Sequence, residues 1–351
     1  VKAARALESQ GAAARPGRDA MSRINVGLGA FGVLSFVVAA GLATAQSDTT
    51  ETPGFQTPRT SWGDPDLAGI YSNDDETGTP MERPDEFEGL TLKTITPEKI
   101  AEIVAERDRR FKAQVDSEAW RRSISPPPHL IFDTFDRNNK RPWLITDPED
   151  GKIPARTAEA NARPRSGGTS TNQNSRGPFN SYTDMGLYDR CITRGIPSSM
   201  MPAGYGSRYE IVQAPDTVAI RYEMIHEARV IPLDRRPHIA SNLKQYLGDA
   251  RGYWEGDTLV IETTNFRAET APQRSSENVK MIERFKRTSA STVEWTVTFE
   301  DPTTWERPWT YSMPLAQVDY TQRIYEYACH EGNLAMRNIL SGARAAEAAS
   351  R

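Results

Sequence analysis

Residues 292–301, TVEWTVTFED, alternate apolar and polar side chains with a period of two. Val293, Trp295, Val297 and Phe299 fall on one face of an extended chain; Thr292, Glu294, Thr296 and Thr298 fall on the other. Successive side chains of a strand point to opposite faces, so this stretch reads as a strand with one face on a core. Working outward, YEIVQ, TVAIRYEMI, EARVIPL, ARGYWEG, DTLVIETTNF, VKMIERFKRT, WTYSMPL and RIYEYACHE follow one another with short connections. APDT (214–217), EGDT (255–258) and TSAS (288–291) read as hairpin turns. Eight or nine strands without an intervening helix predict a mainly β fold, an antiparallel meander from residue 209. Its edges stay unpaired unless the sheet closes into a barrel or folds into a sandwich. NLAMRNILSGARAAEAAS, after Gly332, is rich in helix formers and predicts a C-terminal helix plugging or flanking the barrel.

Upstream the text is different. Met21, Arg23, the apolar run from Val26 to about Leu42 and the small residues Ala43–Ala45 have the order of a secretory signal peptide, over 21–45. Residues 1–20 read as upstream read-through, and 46–208 as an irregular N-terminal region. Within that region Thr96 is the expected N-cap and Pro97 the first residue of a helix with Ile100, Ile103, Val104 and Phe111 as its stripe. PPPHLIFDTFD and RPWLITDPEDGKIP predict two short strands, and 155–180, rich in Ser, Gly, Asn and Arg, a mobile loop. The net charge of −4 and the scattered basic residues give no nucleic-acid surface. No membrane association is expected once the leader is cleaved. Cys191 and Cys329 are expected to pair in an oxidising compartment, and two cysteines are too few for a thiolate zinc site.

RTSWGDPDLAGIY, RCITRGIP, YEIVQAPDTVAI, RRPH, LGDARGYWEGDTLVIETTNF and EYACHEGN together resemble a large family of exported bacterial proteins, from about Pro58 to Arg344. The resemblance implies export and a lipocalin-like barrel, and it supplies no reaction. Arg235 departs from the pattern, which has a glycine there.

HEARVIPLDRRPH (226–238) concentrates ionisable side chains on one strand and its exit. His226 and His238 are the candidate acid/base residues, with Glu223 beside them, because imidazole changes charge near neutral pH. Arg229, Arg236 and Arg251 are the candidate anion clamps, guanidinium being a two-pronged partner for carboxylates. Asp249 would orient a histidine or arginine; Trp254 and His330 complete the candidate ligand-binding set. Over 217–231 either Val218, Ile220, Tyr222, Met224 and His226 face inward, or Ala219, Arg221, Glu223, Ile225 and Glu227 do. A bulge or turn near Ile225 would change the parity after it. The spacing of His226, His238 and Glu223 is no local metal motif, and neither metal nor cofactor is expected. Serine-hydrolase, phosphate-loop, zincin and dinucleotide motifs are missing from the sequence.

Three readings follow. The first is a cofactor-independent acid/base site for elimination, isomerisation or hydrolysis of a small polar or aromatic acid. The second is a periplasmic or secreted carrier for a small apolar or aromatic ligand. The third is a structural partner in an envelope complex. The surplus of charge around one strand favours the first.

Overall fold

The computed structural model describes residues 52–115, 141–163, 179–203, 205–319, 321 and 323–350. The expected leader, the strand expected in PPPHLIFDTFD and residues 164–178 of the expected loop lie outside them. Ten strands form one sheet: β1 (Gly69–Ser72), β2 (Ile145–Asp147), β3 (Arg208–Ala214), β4 (Thr217–Tyr222), β5 (Ala228–Pro232), β6 (Asp249–Glu255), β7 (Thr258–Thr264), β8 (Lys280–Ser289), β9 (Thr292–Glu300) and β10 (Trp309–Gln317). The order is β5-β4-β3-β1-β10-β9-β8-β7-β6, each pair antiparallel, with β2 attached to β10. The nine strands of that path curl into a nearly closed barrel, as the alternation predicts.

On β9 the reading holds residue by residue: Val293, Trp295, Val297 and Phe299 are fully buried. Their cross-strand partners include Phe285 opposite Trp295 and Tyr311 opposite Val297, and both are buried as completely. Trp295, Trp309, Tyr209, Tyr222 and Tyr311 are among the largest side chains with no exposed surface. The lumen is therefore a side-chain core, as expected of a small barrel. β1 comes from the stretch expected to be irregular, and it sits between β3 and β10, so the sheet crosses the boundary drawn at residue 209. Four residues are too few to show a period, yet Tyr71 is wholly buried and its hydroxyl accepts a 2.7 Å bond from Arg287 Nη2.

Of the two parities open for β4, the first is found. Val218, Ile220 and Tyr222 are buried, while Arg221 is exposed and paired with Glu210. The 3-10 turn Met224–His226 then resets the phase, so that Arg229 and Ile231 of β5 face in. Arg229 meets Glu283 of β8 inside the barrel, Nη2 to Oε1 at 2.7 Å and Nη1 to Oε2 at 2.6 Å. Trp295 Nε1 donates to the same Oε1 at 3.1 Å.

β5 and β6, the two ends of the path, run in the same direction, so no hairpin can join them; a crossover is required. Residues 233–248 are that crossover. Gly252 lets it approach, since a Cβ there would lie 2.6 Å from Leu233 and 2.9 Å from Ile231. Asn265 pins the far half by donating Nδ2 to the carbonyls of Ala240 at 2.9 Å and Leu243 at 3.0 Å. Arg235 has φ 57°, the left-handed region where glycine is at ease and an arginine is costlier.

Helix α1 (Pro97–Val115) starts as predicted, with Lys99 N donating to the Thr96 hydroxyl at 3.3 Å, and Ile100 packs on the core. A short helix α2 (Ala158–Ala162), capped by Thr157, orders the start of the loop expected to be mobile. RIYEYACHE is not a strand; its described residues run as an extended tail beside the barrel. Helix α3 (Ala335–Ala349) forms after it and buries none of its residues, so it does not plug the barrel.

Removing one member of the central ion pair strands the other in a dry core. Glu283→Leu is expected to destabilise the fold by about 3–5 kcal/mol, and adding Arg229→Met to recover most of that loss. Chemical denaturation of both variants measures it; equal stability of the single and double variants would refute the role assigned to the pair.

Candidate functional site

One rim of the barrel gathers the β4–β5 turn, the loop RCITRGIP (190–197) and the tail before α3. The turn is strained. Ile225 and His226 have φ of 58° and 44°, and Cys191 in the loop has 55°. A β-branched residue in the left-handed region is a genuine outlier, at a cost of roughly 1–3 kcal/mol, and such strain collects at functional sites. Burial of Met224 and Ile225 and the bond from Tyr222 N to Glu227 O at 2.8 Å hold it in place.

Cys191 and Cys329 form a disulfide, as expected, and it brings the tail against the loop. Asn333 Nδ2 donates to Asp189 O at 3.1 Å beside it. Tyr188 and Tyr327 then meet hydroxyl to hydroxyl at 3.2 Å, with the Tyr205 ring stacked on Tyr327 at 6.5 Å between centroids. The Arg194 guanidinium lies 5.9 Å from the centre of the Tyr188 ring. Burial, then the neighbouring phenols, push the Tyr188 hydroxyl well above the usual phenol range, so it stays protonated. A cavity of about 430 Å³ opens at this tyrosine pair and is lined also by Leu334, Met336 and Ile339. The charged residues on its wall are Asp189, Glu326 and Glu331, all acidic.

Behind the tyrosines stand further carboxyls. Thr193 Oγ1 donates to Glu227 Oε2 at 2.9 Å. Burial raises the Glu227 carboxyl, against the opposing pull of Thr193, the Arg194 backbone and Arg229. Burial likewise raises Asp74 and Glu223, which sense each other and share Arg208 as a counter-charge.

The residues singled out from the sequence are distributed over this rim, the seam and the interior. His226 is exposed on the strained turn; its Nδ1 lies 3.0 Å from Tyr327 O, and because a carbonyl only accepts, Nδ1 carries the hydrogen. Glu223 opens the same turn. His238 is elsewhere, in the crossover, with Nδ1 2.8 Å from Asp249 Oδ2. Asp249 also accepts from Ile239 N at 3.2 Å and pairs with Arg251 at 2.9 Å, while Arg251 Nε donates to Pro237 O at 3.2 Å. These three residues fasten the crossover to β6. Arg229 is committed to Glu283, and exposed Arg236 pairs with Asp234 beside it. Trp254 packs half-buried on the core, and His330 is exposed near the disulfide. His226, His238 and Arg229 therefore do not share a site, and among the described residues no group of three or more His, Cys, Asp or Glu gathers as a metal site.

Tyr188, Tyr205, Tyr327 and Thr193 are the residues that the sequence reading passed over. Their signal was adjacency: all but Tyr205 lie within three residues of a cysteine whose pairing was already expected.

No protein-family model matches the chain, and no curated protein does. Among solved structures, one similarity is to a secretary abundant heat soluble (SAHS) protein from Ramazzottius varieornatus, at 12% identity and a TM-score of 0.22 over 38% of this chain and 86% of that one. Another is to a mutant of the fluorescent protein UnaG, at 10% identity and a TM-score of 0.21 over 38% and 86% of the two chains. Likeness of this degree says nothing about what the chain binds.

The raised Glu227 carboxyl makes a signed prediction. The folded state holds a proton that the unfolded chain has already released, so no penalty exists below the unfolded value near 4.5. The penalty grows as pH rises toward the folded value and persists above it. Glu227→Gln removes it, so the melting temperature of the variant relative to wild type is expected to climb as pH rises from the unfolded value through the raised folded one. A difference that stays constant across that range in thermal melts would show that the carboxyl is not raised.

Proposed function

We propose that this chain is an exported carrier that binds a small neutral or cationic aromatic molecule against Tyr188 and Tyr327. One observation carries the reading: a cavity of ligand size, about 430 Å³, has an aromatic, hydroxyl-bearing wall and only acidic charges. Tyrosine faces attract cations and stack on aromatic rings, and the adjacent hydroxyls give orientation. The carboxylates on the wall repel an aromatic acid. The lumen plays no part in uptake, since its side chains fill it. Export is supported by the disulfide, which persists in oxidising compartments, together with the leader-like order of residues 21–45. Among the described residues no helix is long and apolar enough to cross a membrane.

The acid/base reading keeps one observation in its favour. His238 and Asp249 form a hydrogen-bonded pair at the seam, the arrangement by which a carboxylate orients an imidazole. It serves there as a clasp, and Arg229, its expected partner in substrate binding, is inside the barrel.

A thermal-shift screen of aromatic amines, phenols and aromatic acids separates the two. Amines and phenols are expected to stabilise the protein and aromatic acids to leave it unchanged, with Tyr327→Ala weakening binding about tenfold, some 1.4 kcal/mol. Stabilisation by aromatic acids that survives Tyr327→Ala and is lost in His238→Gln would transfer the site to the seam.

A further inference from the structure

The same rim carries a second cluster on the side of the β9–β10 connection, built from residues that the tyrosine pocket does not use. Arg156 makes a backbone bridge to Trp305, and its Nη2 donates to the carbonyls of Arg274 at 3.2 Å and Ala160 at 3.5 Å. Arg163, at the end of α2, donates Nη1 to Thr304 Oγ1 at 3.1 Å and Nη2 to Thr303 O at 3.2 Å. Thr304 Oγ1 in turn accepts from Ser276 N at 3.1 Å, so Arg163 is tied to the segment that bears Arg274. Arg274 itself is exposed and has no carboxylate partner among the described residues.

The nearby acids Asp301 and Glu159 offset part of the charge of the three arginines and leave an excess positive charge. Asp301 is saturated by Ser276 N at 2.7 Å, Thr304 Oγ1 at 2.5 Å, Thr303 N at 3.1 Å and Thr303 Oγ1 at 2.7 Å. Glu159 reaches Arg163 only at 3.4 Å and is largely exposed. Burial, then the charges of Arg274 and Arg163, pull the Arg156 guanidinium below its usual range, against the opposing pull of Asp301. Two further features lie in the segment that bears Arg274. The hydroxyl of Ser275, 7% exposed, is a buried polar group with no hydrogen-bond partner. Gln273 and Arg274, immediately before it, both have positive φ, 55° and 59°, a strained pair.

We infer that Arg156, Arg163, Arg274 and the Ser275 hydroxyl form a binding site for a small phosphoryl-type oxyanion. Guanidinium forks suit an anion with several equivalent oxygens, and a buried hydroxyl supplies one further donor. The site stands apart from the tyrosine pocket and is opposite to it in charge preference, so either can fail without the other.

Isothermal titration with inorganic phosphate, up to about 10 mM, tests it on the whole protein. Wild type is expected to bind, and Arg274→Gln to bind at least tenfold more weakly. Arg274 is exposed, so its replacement leaves folding intact, which melting of the variant checks. Arg221→Gln, an exposed arginine on β4, is the charge control and should bind as wild type does. Sedimentation with phosphatidylglycerol vesicles distinguishes the source of the phosphoryl group: vesicle binding abolished by Arg274→Gln assigns the site to a lipid headgroup, and its lack alongside phosphate binding assigns it to a free ligand. No phosphate binding at the highest concentration together with no Arg274-dependent vesicle binding overturns the inference, as does equal phosphate affinity in wild type and Arg274→Gln.

Discussion

A guanidinium and a carboxylate face each other in the dry centre of this barrel, and much of the structure follows from keeping them together. Arg229 is 6% exposed and Glu283 not at all, so neither charge has recourse to water. Such a pair contributes little net stability, but separating it is severe. The consequence is geometric. Strands β5 and β8 must hold their spacing across the lumen, and Trp295, which donates to Glu283, must keep its rotamer. The interior of the barrel is thus filled by side chains and tied across its width by this pair.

The same constraint bears on the seam. β5 delivers Arg229 to the interior only if its edge stays against β6, and no ladder joins those two strands. The seam is instead held by packing of Ile231 and Leu233 on Gly252 and by the His238–Asp249–Arg251 set. Charges that looked like chemistry in the sequence thus act here as fasteners of a parallel edge. Surplus ionisable residues near one strand mark either a reaction or a connection that ordinary backbone pairing cannot make. A single sequence does not separate the two, because the partners lie 11 to 54 residues away along the chain.

What was legible were the features with a local cause. The period-two alternation of β9 sets its buried face without reference to any neighbour, and the three hairpin turns, the Thr96 cap and the pairing of the two cysteines are as short-ranged or as unambiguous. β1 was invisible because GIYS is too short to display a period; the sheet on both sides makes it a strand. The tail RIYEYACHE has strand-like composition but makes no ladder; it follows β10, which already has β1, β9 and β2 beside it. The β4–β5 turn was legible only as a doubt about parity, since nothing in MIHE announces a left-handed isoleucine. The rim arginines were hidden because Arg156, Arg163 and Arg274 come from two segments whose juxtaposition depends on the β9–β10 loop.

The disulfide encloses a long stretch of chain. Its ends are 138 positions apart, and every strand from β3 to β10 lies between them. Synthesis runs from the amino terminus, so Cys191 emerges with none of β3–β10 yet made and waits for nearly the whole barrel before its partner appears. Tyr188 and Tyr327 flank the two cysteines, so the cavity they share forms only after β3–β10 have been made. A chain cut short just after β10 would own every strand of its sheet and lack the Tyr327 side of its pocket. The pocket is therefore built only in molecules whose chain already extends past the second cysteine.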